Sequence, residues 1–143
     1  EQYLGDIKSL YYGFRHLGGP EKMSAGYWNT VCVCCGTAGI LQFLINCGIV
    51  FNGTDFADSG NAVIEIAAEI LVGEQESKVD GRIGVWPIAY ERVKPEKVAP
   101  DFGYAIGASG IAATLIQLYH YKNKKVDFGR YIDDPYPTNI SLS

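Results

Sequence analysis

Four cysteines, Cys32, Cys34, Cys35 and Cys47, fall within sixteen residues, and the rest of the chain has none. A disulfide framework links distant parts of a fold, which thiols confined to one short segment cannot do, so the layout reads as a local thiol cluster. Cys34 and Cys35 directly precede Gly36-Thr37-Ala38-Gly39 and a long apolar run. A thiolate pair at the start of a helix meets unpaired N–H groups and the positive end of the helix dipole, which makes metal binding plausible. A tetrahedral zinc site needs three or four ligands, and this pair supplies two. Cys47, inside the apolar run, reads as a small buried hydrophobe, and Cys32 reads first as the same and second as a third sulfur.

Helical elements surround this turn. Tyr3, Ile7, Leu10, Tyr11, Phe14 and Leu17 recur at three and four, which predicts an amphipathic helix ended by Gly18-Gly19-Pro20. From Gly39 to Ile49 apolar residues occupy nearly every face, the pattern of an inner helix walled in by neighbours. Asn52-Gly53-Thr54-Asp55 has turn and N-cap chemistry. Beyond it Ala62, Val63, Ile66, Ala67, Ile70 and Leu71 sit opposite Glu65 and Glu69, the pattern of a one-sided outer helix. Glu74 to Phe102 is polar, with prolines at 87, 95 and 100, and is expected to hold at most short strands or turns. A loop of that length suggests a functional insert.

The inner pattern then returns. Gly36-Thr37-Ala38-Gly39-Ile40 aligns with Gly107-Ala108-Ser109-Gly110-Ile111, and Leu44-Ile45 aligns with Leu115-Ile116. Each unit is an outer amphipathic helix, a loop, a glycine-bearing turn and an inner apolar helix. Such units cannot bury the inner helix alone and normally stack into a solenoid or close into a ring. Gly36, Gly39, Gly107 and Gly110 are expected to shape the turns, because two glycines three apart leave bare backbone where a neighbouring element can approach closely.

The bulk properties exclude other classes. With 143 residues and 48% hydrophobic content the chain is long and apolar enough for one folded core. A net charge of −4, with scattered Lys and Arg, offers no basic stripe, so nucleic acid is not an expected partner. The longest apolar run, Ile40 to Phe51, is interrupted by Gln42, Asn46 and Gly48 and is too short for a membrane span. The chain begins at Glu1 without a Met, so upstream sequence is expected. Asn52 and Asn139 head two glycosylation sequons that count only in a secretory lumen, where the cysteines would meet oxidising conditions. A cytoplasmic location is slightly favoured over secretion.

The string Cys34-Cys35-Gly36-Thr37-Ala38-Gly39-Ile40 resembles the Cys-His-Gly-x-x-Gly turn of lanthionine synthetase C-like proteins. Asp80-Gly81 with Trp86-Pro87 resembles the loop that follows it in that family. Phe102 to Ile111 resembles the family's last glycine turn, and Asp133-Asp134-Pro135-Tyr136-Pro137 its tail. The resemblance implies an all-α fold, an α/α toroid of helical hairpins, of which this chain would form about two. These would be a hairpin over 1–51, a hairpin over 52–122 carrying the loop 74–102, and a tail over 123–143. It also implies a central zinc held by three protein ligands, with Cys34 as the Cys of a Cys-His pair and Cys35 at the His position. Cys-Cys variants occur among bacterial members.

Two readings from different classes follow. In the first, the chain is the zinc-binding part of an enzyme that activates a thiol, from a peptide or a glutathione-like donor, for addition to a dehydrated Ser or Thr. The remaining zinc ligand and the family's acid/base residues lie on hairpins upstream of this segment. A complementary chain or the missing N-terminal hairpins would therefore have to complete the ring, and the chain alone would be inactive. In the second, it is a non-catalytic toroid fragment used for binding or assembly, which suits the missing His, the sequons and ten tyrosines. A third, weaker reading as a carbohydrate-active toroid needs paired carboxylates. Asp80, Asp101, Asp133 and Asp134 show no spacing that pairs them, and His16 reads as a surface residue.

Overall fold

In the computed structural model the described residues are 2–20, 31–78, 81, 83–91 and 94–123. Four helices form the body: α1 (Gln2–His16), α2 (Thr37–Val50), α3 (Asp55–Gly73) and α4 (Ala108–Lys122). The expected helices are all present, so the fold is mostly helical. The stretch read as a polar loop with at most short strands or turns holds four short strands. It forms two antiparallel ribbons, β1 (Glu76–Lys78) with β2 (Ile83–Val85) and β3 (Pro87–Glu91) with β4 (Lys94–Pro100). Glu76 pairs with Val85 in one ribbon, and Ile88 with Ala99 in the other. Both prolines of β4 fit because, among the described residues, each sheet has two strands and each strand an edge without a strand partner.

The four helices form for different reasons. On α1 the apolar stripe is only partly used. Tyr11 is buried, but Tyr3, Leu4, Leu10, Tyr12 and Leu17 are exposed. Residues Phe51 to Thr54 make the turn between α2 and α3, in which Thr54 Oγ1 donates to Phe51 O at 2.7 Å and Gly53 takes a left-handed φ of +78°. Helix α3 then packs against α2 through Val63, Ile64, Ala67, Ala68 and Leu71, a face rotated from the expected one toward Ile64 and Ala68, with Ala62 exposed and Ile66 and Ile70 half-buried.

The core is centred on α2. Leu41, Leu44 and Ile45 are almost fully buried, together with Ile64 and Leu71 from α3 and Ile111 from α4. Each of these side chains contributes roughly 2 kcal/mol by leaving water. Trp86, between the two ribbons, is also in this core, and its indole N–H donates to Leu71 O at 2.7 Å. One side chain thus fastens the ribbon segment to the C-terminal end of α3.

Helices α2 and α4 lie side by side and run in the same direction. Cys34 N donates to Ala105 O at 2.8 Å at their leading ends, and Gln42 Nε2 donates to Thr114 Oγ1 at 2.8 Å midway. At the far ends Gly48 faces the Tyr121 ring, whose hydroxyl donates to Asn61 Oδ1 at 2.8 Å on α3. Lys122 and Glu65 add an exposed ion pair at 2.6 Å, which is worth little in stability because both groups are solvated. Helix α3 therefore begins beside the C-terminal ends of both parallel helices.

The sequence repeat is a structural repeat. Gly36 and Gly107 each precede a helix in extended conformation, with φ, ψ of −138°, −166° and −124°, −169°, and neither helix has a side-chain cap. A Cβ on Gly39 would collide with Val33 O, and one on Gly110 with Tyr104 O, the carbonyl six residues earlier in both cases. Gly110 also receives the Val33 side chain, so each turn is packed against the other. Gly110→Ala should therefore cost about 1–3 kcal/mol through overpacking against fixed backbone. Gly13→Ala on α1, where none of the described residues' atoms lies within 4 Å of the added Cβ, should instead add about 0.5–1 kcal/mol. Paired thermal melts would show the opposite shifts, and equal shifts would contradict the packing role. Trp86→Phe, which removes the donor to Leu71 O, should cost about 1–3 kcal/mol in denaturant unfolding.

Candidate functional site

The thiols are presented by residues 31–36, which lead into α2. Three backbone hydrogen bonds hold this turn: Ala38 N to Val31 O at 3.2 Å, Gly39 N to Cys32 O at 3.4 Å, and Cys34 N to Ala105 O at 2.8 Å. The first two fold the segment back over the first turn of α2. The third ties it to the corresponding turn before α4. The close approach that brings Cys32 O and Val33 O over the helix start requires a residue without Cβ at position 39.

All four cysteines are thiols, and the turn divides them by access. Cys34 and Cys35 are exposed, and Cys32 is fully buried. The Sγ atoms of Cys32 and Cys35 are 3.6 Å apart. The fold therefore brings together Cys32 and Cys35, a pairing that the emphasis on Cys34 and Cys35 missed. The signal was present as the Cys-x-x-Cys spacing from 32 to 35, which places two sulfurs on one side of a tight turn. Cys47 is buried, as expected, and lies ten residues along α2 from Thr37, or about 15 Å at 1.5 Å per residue.

Among the described residues, no group of three or more His, Cys, Asp or Glu side chains is placed to hold a metal ion. His16 is exposed on α1. His120 lies near the C-terminal end of α4, about 20 Å from that helix's leading turn by its rise per residue. Its Nδ1 is buried without a partner among the described residues, as is Gln117 Oε1 one helical turn earlier.

Of the four loop aspartates named above, Asp101 is described, and it serves the backbone. Asp101 Oδ1 accepts Gly103 N at 2.6 Å, and Asp101 O accepts Ala108 N at 2.8 Å, so this residue shapes the second glycine turn. Its backbone also occupies the space beside Gly107 that a Cβ would need. Asp80, Asp133, Asp134 and Asn139 lie outside the described residues. Asn52 is exposed in the turn between α2 and α3.

Zinc fits this donor set only in part. Cys34 and Cys35 offer two accessible thiols of the soft type that zinc accepts, with Cys32 behind Cys35. A site of three or four ligands would need at least one donor from beyond the described residues.

No protein-family model matches the chain, and no curated protein or solved structure matches it. No helix among the described residues is long and apolar enough to cross a membrane.

Burial raises the Cys47 thiol above its ordinary value of 9.0, and burial likewise raises the Tyr121 phenol above 10.0. The folded state thus holds these protons more tightly than the unfolded state. Their contribution is fully present below the unfolded values and is lost as pH rises through the folded ones. Chain stability should fall as pH rises above 9.0. Cys47→Ala should reduce that slope in chemical denaturation measured across the same range. An unchanged slope would show that Cys47 does not set the alkaline limit.

Proposed function

We propose that the chain is the zinc-binding part of a lanthionine synthetase C-like α/α toroid. Its two helical hairpins would carry Cys34 and Cys35 toward a metal site completed by other hairpins. The observation that carries this reading is the repeated glycine turn. Two such turns head parallel neighbouring helices, and in each the glycine three residues into the motif faces the carbonyl six residues earlier. Parallel helices side by side, with an opposed helix joining them, are what consecutive hairpins of a ring require. The exposed thiols at the leading end of α2 support the placement of the ligands.

Helix α4 supports the requirement for further hairpins. Gly110, Ile111, Thr114 and Leu118 are buried, while Ala112, Ile116 and Tyr119 leave an exposed, largely apolar side. A complementary chain or the N-terminal hairpins of the same toroid would cover such a side. When bound, zinc would supply Lewis-acid stabilisation of a thiolate near neutral pH. This chain's own residues would hold the ion's sulfur side and fix the turn. The acid/base groups needed for addition to a dehydrated Ser or Thr would come from elsewhere in the ring.

Asn52 favours the second reading, a non-catalytic toroid fragment used for binding or assembly. Its sequon is exposed in a tight turn, where a glycan could be attached without disturbing the core. Elemental analysis separates the two readings. Zinc should co-purify in proportion to chain with the natural assembly and fall at least about tenfold on Cys34→Ala or Cys35→Ala, because each removes a ligand. Metal-free natural assembly, with Asn52 glycosylated, would replace the enzyme reading with the assembly one.

A further inference from the structure

Cys32 and Cys35 differ from the other sulfurs in being placed against each other. Their Sγ atoms are 3.6 Å apart, compared with roughly 2.05 Å in a disulfide, so a small side-chain movement joins them. Access to the two is unequal: Cys35 is exposed, and Cys32 is fully buried beneath the turn. Backbone hydrogen bonds from Ala38 to Val31, from Gly39 to Cys32 and from Cys34 to Ala105 hold the segment in place. Cys34 is exposed as well, but the sulfur that faces Cys32 belongs to Cys35.

We propose that Cys32 and Cys35 form a dithiol site that exchanges with low-molecular-weight aliphatic disulfides, with Cys35 as the attacking thiol and Cys32 as the resolving one. In the first step the Cys35 sulfur bonds to one sulfur of the small disulfide. The S–S bond of that molecule breaks, and one small thiol leaves with the proton that Cys35 gives up. In the second step the Cys32 sulfur attacks Cys35 Sγ and displaces the second small thiol, which takes the Cys32 proton. The protein dithiol is oxidised by two electrons, and the small disulfide is reduced to two thiols. Selectivity follows from placement, since Cys34 and Cys35 can both meet the incoming disulfide but the mixed disulfide on Cys35 is the one that stands against Cys32. The site needs thiols alone and is independent of the zinc reading.

The test uses the full chain with Cys34→Ser, hydroxyethyl disulfide as the probe and a chelator in the buffer. The result therefore does not depend on metal. Intact mass should show the loss of two hydrogens with no adduct retained, and peptide mapping should place the link between Cys32 and Cys35. Adding Cys32→Ser should trap the mixed disulfide on Cys35. Adding Cys35→Ser instead should slow modification of Cys32 at least about tenfold, because a buried thiol reacts only after the turn opens. A persistent adduct on the chain that retains Cys32 and Cys35, or a link to Cys47, would overturn the assignment. If Cys32→Ser fails to fold by circular dichroism, the exposed Cys35→Ser variant still decides, since rapid modification of Cys32 there overturns it too.

Discussion

The close approach of a carbonyl to a glycine at the start of a helix is the contact on which the rest of this structure depends. Val33 O lies over Gly39, and Tyr104 O lies over Gly110, in spaces that any side chain would fill. Each contact lets the chain double back before its helix and bury Ala38 or Ile111 at the leading end. Because Val33 also packs on Gly110 and Cys34 N bonds to Ala105 O, the two turns position each other. The helices that follow start together and therefore run parallel. The Gln42 to Thr114 bond and the Tyr121 ring over Gly48 continue that alignment to the far ends.

The same constraint sorts the sulfurs. Folding residues 31–36 back over α2 sends Cys32 inward, where its carbonyl accepts Gly39 N, and leaves Cys34 and Cys35 in solvent. A cluster that looks uniform in composition thus becomes one buried thiol, two accessible ones and a distant fourth. Such differences in access govern thiol chemistry, because attack on a disulfide or a metal requires the sulfur to be reached. The carboxylate of Asp101 meets the opposite outcome. It is taken up by Gly103 N in the turn before α4.

The ribbons show how a polar, proline-bearing segment is still fixed to a core. Strands of three to seven residues in two-stranded sheets have little stability alone. Trp86 compensates by burying a large ring in the helical core while its N–H finds Leu71 O. The prolines that limited this stretch to short strands or turns fit at ribbon edges, which a central strand would not have allowed.

Local periodicity made the helices legible from the sequence. The apolar spacing on 3–17, the near-continuous apolar run from Gly39 and the one-sided pattern after Asp55 each depend on residues within a few turns of one another. The repeat of Gly36 and Gly39 in Gly107 and Gly110 was equally visible, because glycine three residues from glycine is a local pattern with a backbone meaning. What the sequence could not decide was which sulfur faces which. That depends on how residues 31–36 turn, and the turn is set by a carbonyl packed on Gly39 and by a bond to Ala105, seventy-one residues after Cys34. The sequence determined that thiols cluster at a glycine turn before a helix. The tertiary structure decided that Cys32 lies buried against Cys35, because only the packing of the second turn on the first fixes the direction in which each side chain leaves the backbone.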